Sequence, residues 1–124
     1  MGLDDAVMLK DNHIAAAGGI ARAIAAARER VPFPLSIEVE TESLDQVKEA
    51  LGADIIMLDN MSLAMMREAV VLIRRDGPRV KIEASGNITL ETIRGIAETG
   101  VDFISTSAPI TRSPWLDISM RIQS

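Results

Sequence analysis

Short apolar runs alternate with longer segments of helical period along the whole chain, and the alternation repeats without a long linker. The runs are Ala6 to Leu9, Leu35 to Val39, Ile55 to Leu58, Val80 to Ala84 and Val101 to Ile104, starting about 20 to 30 residues apart. Between them, apolar residues at helical spacing mark one face each: Ile20, Ala23, Ile24 and Ala27; Met66, Ala69, Val70 and Ile73; Leu90, Ile93 and Ala97. A shorter helix from Leu44 to Leu51 opens at Ser43, with Gln46 at the spacing of a capping box. Gly52, Gly77-Pro78 and Gly100 read as helix stops. Five alternating βα units demand parallel strands with right-handed crossovers, which leaves a partial (β/α) barrel or an open doubly wound sheet.

Composition limits the chemistry. The 124 residues are enough for one domain, and with 48% apolar residues but three aromatics (Phe33, Phe103, Trp115) the core is aliphatic. The absence of cysteine excludes disulfides, thiolate metal sites and a cysteine nucleophile, and one histidine excludes a multi-histidine metal site within one chain. A formal charge of −5 argues against nucleic acid as a partner, and no apolar stretch reaches the roughly 18 residues of a membrane span. With no signal core after Met1, the chain reads as soluble and cytoplasmic.

Each apolar run carries or exits into a polar cluster: Lys10-Asp11-Asn12-His13, Glu38-Val39-Glu40, Asp59-Asn60, Ser85-Gly86-Asn87 and Ser105-Thr106-Ser107. In parallel α/β folds the C-terminal ends of the strands are where loops converge and ligands bind. Lys10 offers a charge for phosphate or carboxylate at the start of an Ala- and Gly-rich loop (Ala15 to Gly19). Glu40 and Asp59 suit ribose hydroxyls, a divalent cation or a developing positive charge. Ser85-Gly86-Asn87-Ile88-Thr89 reads as a turn into a helix capped by Thr89, where small residues let an anion approach the backbone. Other polar residues read as structural: His13 as a capping or packing residue, Glu38 and Glu83 as partners of Lys81 or an arginine, and Arg74-Arg75 as complements to a helix C-terminus on a solvated face. The methionines read as core filler.

Five strings in order carry a family resemblance: Gly2-Leu3-x-Asp5-Ala6-Val7-Met8-Leu9-Lys10-Asp11-Asn12-His13-Ile14, Ile37-Glu38-Val39-Glu40, Met57-Leu58-Asp59-Asn60, Glu83-Ala84-Ser85-Gly86-x-Ile88 and Leu116-Asp117-Ile118-Ser119. Together they resemble the C-terminal part of the quinolinate phosphoribosyltransferases, the carboxylating nicotinate-nucleotide pyrophosphorylases. The resemblance implies that residues 1–124 are the C-terminal portion of an α/β-barrel catalytic domain, without the family's N-terminal sandwich domain and first barrel strands. It implies a glycosyltransferase that joins quinolinate to phosphoribosyl pyrophosphate with Mg2+, working as a homodimer in NAD biosynthesis, and inactive as this chain alone.

By motif, Lys10 resembles the lysine that binds the anionic substrates. Glu40 and Asp59 resemble the acids at the ribosyl centre and metal, acting with Lys10 as the catalytic set. Ser85, Gly86 and Asn87 resemble the cradle of the 5′-phosphate, and Ser107 falls where members commonly have a phosphate-contacting glycine. Asn87 and Ser107 both stand in place of glycine, and Ala108 to Ser113 departs from the family pattern, with Arg112 offering replacement donors. Two alternatives share the ribosyl-phosphate residues: the molybdenum-associated paralogue of the same family, and a non-catalytic phosphate- or nucleotide-binding module.

Overall fold

The computed structural model describes residues 6–30, 35–86, 88–106 and 119–122. Its elements alternate as expected: β1 (Ala6–Leu9), α1 (Asp11–Ala17), α2 (Ile20–Arg30), β2 (Ser36–Thr41), α3 (Leu44–Glu49), β3 (Ile55–Asp59), α4 (Leu63–Asp76), β4 (Lys81–Ser85), α5 (Leu90–Glu98), β5 (Phe103–Thr106) and β6 (Ser119–Ile122). All pairings are parallel, and the order is β1-β2-β3-β4-β5-β6. A doubly wound sheet reverses its strand order at a switch point, whereas a sequential parallel order is that of a (β/α) barrel wall. The structure therefore decides between the two architectures in favour of the partial, open barrel.

Three local features differ from the sequence reading. The loop expected after Lys10 is the short helix α1, stopped by Gly18 in the left-handed region (φ 91), whose N–H bonds back to Ile14 and Ala15. β6 forms a sixth strand from a segment that alternates too briefly to register as an apolar run. The helix at Ser43 ends at Glu49, capped by Ala50 before Gly52 is reached. Its box is also wider than the standard one, because Gln46 Oε1 accepts from Glu42 N–H at 2.6 Å while Ser43 Oγ accepts from Gln46 N–H at 3.2 Å.

The two faces of the sheet have different chemistry, and strand alternation is the cause. Ile37, Val39, Ile56, Leu58, Ile82, Ala84 and Ile104 point to the helices and form one core with Ile20, Ile24, Val47, Met66, Ile73 and Ile93. Burying each of these larger aliphatic chains contributes about 1.5–3 kcal/mol. The residues between them, including Glu38, Glu40, Asp59, Glu83, Ser85 and Ser105, share the other face through the strand register. Ile55 and Met57 are buried on that second face without joining the helix-side core. Two thin layers thus surround the sheet: one aliphatic and one polar.

Candidate functional site

On the polar face, residues stack in rows set by the pairing register. One row runs through Glu40, Met57, Glu83 and Phe103, and the next, toward the C-terminal end, through Asp59, Ser85 and Ser105. Glu40 lies near the end of β2, and Asp59 and Ser85 are the last residues of β3 and β4; all three are half-buried. Lys10 follows β1 directly, one step beyond the Leu9–Val39 pair and so level with Glu40, and occupies the N-cap position of α1. Its side chain is exposed and makes no capping hydrogen bond, which leaves the ammonium at the rim of the same end.

Gly86 then turns the chain out of β4 with φ 125, and its carbonyl accepts from Ile88 N–H at 2.9 Å. Ile88 is buried, anchoring the turn into the core, and α5 starts behind it with a full capping box. Thr89 Oγ1 accepts from Thr92 N–H at 3.3 Å and Thr92 Oγ1 accepts from Thr89 N–H at 3.0 Å. A cavity of about 360 Å³ lies beside this turn, touching Asn60, Ser62, Ser85 and Thr92 and floored by Met66 and Ile96. The N-terminal turns of α4 and α5 both border it.

Lys10, Glu40, Asp59, Ser85 and Gly86 are therefore brought to one end of one sheet. Asn87 and Ser107, also predicted for the site, lie outside the described residues. Ser105, two positions before Ser107, is wholly buried on the polar face in register with Ser85. The described residues contain no group of three or more His, Asp or Glu side chains that could hold a metal ion. Glu40 and Asp59 are two carboxylates near neighbouring strand ends, fewer than a cation cage built from protein groups alone needs.

Several residues play roles the sequence did not disclose. Glu38 and Glu83 are 1% and 0% exposed and both make polar interactions. Of the partners expected for them, Lys81 or an arginine, Lys81 is exposed at the opposite end of β4. His13 is exposed on α1 rather than packed, borders a groove lined mainly by alanines, and its backbone N–H donates to Asn12 Oδ1 at 2.9 Å. Arg74 does more than complement a helix end, since its guanidinium reaches Asp102, Gly100 O and Val80 O. Met61 and Met66 join the helix-side core as expected, whereas Met57 fills the polar face between Glu40 and Glu83. No helix among the described residues is long and apolar enough to cross a membrane.

Comparison with known proteins agrees with this arrangement. The chain is 60% identical over 124 residues to a Synechocystis protein named probable carboxylating nicotinate-nucleotide pyrophosphorylase, covering 98% of this chain and 42% of that one. It is 42% identical to the chloroplastic Arabidopsis thaliana protein of the same name, covering 100% of this chain and 40% of the relative. Among solved structures, NadC from Streptococcus pyogenes superposes with a TM-score of 0.74 at 50% identity, covering 85% of this chain and 36% of that one. The nicotinate-nucleotide pyrophosphorylase of Francisella tularensis does so with a TM-score of 0.74 at 45% identity, covering 85% and 37%. The chain thus spans about two-fifths of the length of these curated relatives. Residues 1–121 match the family described as quinolinate phosphoribosyl transferase, C-terminal domain, and with the parallel barrel wall and its polar C-terminal rim this chain belongs to that family.

Proposed function

We propose that this chain supplies the ribosyl-phosphate half of an active site that condenses quinolinate with phosphoribosyl pyrophosphate. The observation that carries this reading is the convergence of Lys10, Glu40, Asp59 and the Ser85–Gly86 turn on one end of a barrel wall in a member of this family. In the reaction, the pyridine nitrogen bonds to the ribosyl C1 as the bond to pyrophosphate breaks. The 2-carboxylate then leaves as CO2 and a proton takes its place, giving nicotinate mononucleotide.

The departure of pyrophosphate places positive charge on the sugar, and the carboxylates of Glu40 and Asp59 stabilise it electrostatically. They also hold the ribose hydroxyls, and they would hold Mg2+, which would offset the negative charge of the departing pyrophosphate. Lys10 attracts the anionic substrates to the rim, and Ser85 with the Gly86 turn receives the 5′-phosphate at the start of α5. Asn87 and Ser107 complete the cradle. No covalent nucleophile is needed. The protein works as a homodimer in the cytoplasm, and the carboxylates of quinolinate are gripped by groups from outside this chain.

A turnover assay tests the proposal. The chain is assayed with quinolinate, phosphoribosyl pyrophosphate and Mg2+, alone and together with the N-terminal portion of the Synechocystis relative. Nicotinate mononucleotide is expected only in the complemented reaction. A folded chain that yields none in either reaction overturns the assignment and leaves the paralogue or a binding module.

A further inference from the structure

The residue after Asp59 has an unusual conformation. Asn60 has φ 53, the only non-glycine residue in the left-handed region among those described. Asparagine tolerates that region better than most side chains, but glycine would occupy it without strain. Its neighbour shows what the side chain touches. Gly86, the residue after Ser85, approaches Asn60 so closely that a Cβ on it would lie 2.5 Å from Asn60 Oδ1 and 2.9 Å from Asn60 N. The Asn60 N–H also donates to Ser85 O at 3.0 Å, which extends the β3–β4 ladder one step past the last pair, Asp59 and Ser85.

We propose that Asn60 is a positioning residue: its side-chain amide, packed on the Gly86 backbone, sets the shape of the Ser85–Gly86 turn and its distance from the Asp59 carboxylate. The inference rests on the ribosyl-phosphate reading of that turn. Two strand ends that carry different parts of one ligand, phosphate and ribose, are thereby tied together by a contact that touches neither. Asn60 acts through Gly86 and contributes no group to the reaction.

The test uses the whole chain and ribose 5-phosphate, with binding followed by calorimetry and folding by thermal melting. Asn60→Gly keeps the backbone conformation and removes the amide, so it is expected to melt at or above the parent temperature while binding about tenfold more weakly. Equal affinity in the two proteins overturns the inference. Gly86→Ala disturbs the same contact from the other side, since its Cβ would lie 2.5 Å from Asn60 Oδ1. Its loss of affinity is expected to be smaller in the Asn60→Gly background, where that side-chain clash is gone, and additive losses would overturn the role. In the complemented enzyme, Asn60→Gly is expected to raise KM for phosphoribosyl pyrophosphate more than it lowers kcat. If the folded parent chain itself fails to bind ribose 5-phosphate, the functional reading is at fault, and the positioning role falls with it.

Discussion

The two ends of the sheet use charge in opposite ways. At the N-terminal end, Asp54, just before β3, accepts from Ile37 N–H of β2 at 2.8 Å and from Arg28 of α2 at 2.9 Å, while Arg28 also donates to Gly52 O at 2.9 Å. Asp102, just before β5, repeats this arrangement: it accepts from Ile82 N–H of β4 at 2.8 Å and from Arg74 of α4 at 3.1 Å, and Arg74 donates to Gly100 O at 3.0 Å. Gly52-Ala53-Asp54 and Gly100-Val101-Asp102 are thus the same clamp, recurring after two βα units. At the C-terminal end, the carboxylates of Glu40 and Asp59 instead line the polar face beside the exposed Lys10. Fixed strand ends below give a rigid base from which the groups above can be aimed at a ligand.

This division predicts different failures at the two ends. The largest effect belongs to the upper end: Glu40→Ala or Asp59→Ala is expected to lower turnover of the complemented enzyme by about 10²–10³. Near-parent rates would remove these carboxylates from the chemistry. Below, Asp54→Ala or Asp102→Ala orphans the N–H of a wholly buried isoleucine and is expected to cost about 1–3 kcal/mol. Both ion pairs are partly exposed, so their own share is under about 1 kcal/mol. Urea unfolding measures the loss, and activity per folded molecule is expected to survive.

How much of this the sequence disclosed follows the same division. The strands and main helices were legible because each has an apolar face whose period is local: Ile37 and Val39, or Met66, Ala69, Val70 and Ile73. The rim residues were legible because polar side chains at the ends of parallel strands have few structural uses. The clamps were not, since Arg28 and Asp54 are 26 residues apart and Arg74 and Asp102 are 28, and neither pair has a local signature. The surroundings of Glu83 were only partly legible: register puts Lys81 on its face, but exposed at the far end of the strand. α1 was hidden by the alanines and glycines that make Ala15 to Gly19 resemble a loop.

Thr89 sharpens the comparison, because it sits at the functional end but has a structural task. Its capping box fixes the first turn of α5, so Thr89→Ala is expected to cost about 1 kcal/mol in the urea midpoint. Because the anion-binding reading uses the position of this turn, a small rise in the Kd for ribose 5-phosphate is expected alongside it. A stability loss with unchanged Kd would separate the cap from the cradle and place the phosphate on Ser85 and Gly86 alone.

The smallest effect is the pH response of the lower clamp. Burial alone would push the Asp54 carboxyl up, but the Arg28 hydrogen bond, the Ile37 N–H and the Arg28 charge outweigh it and hold the group below its ordinary value of 3.8. A folded-state value below the unfolded one means that the charged form favours the native chain. That contribution is complete above the unfolded value and disappears as pH falls through the folded one. The difference in urea midpoint between the parent and Asp54→Asn is therefore expected to be constant from about pH 5 to 8 and to shrink only below about pH 4. Screening at this partly exposed pair keeps the change small, and high salt reduces it further. A gap that stays constant down to pH 3 would show that the Asp54 side chain works as a neutral hydrogen-bond acceptor. The clamp would then hold β2 to β3 by shape, and the opposition between a base fixed by charge and a rim that offers charge to a ligand would have to be redrawn.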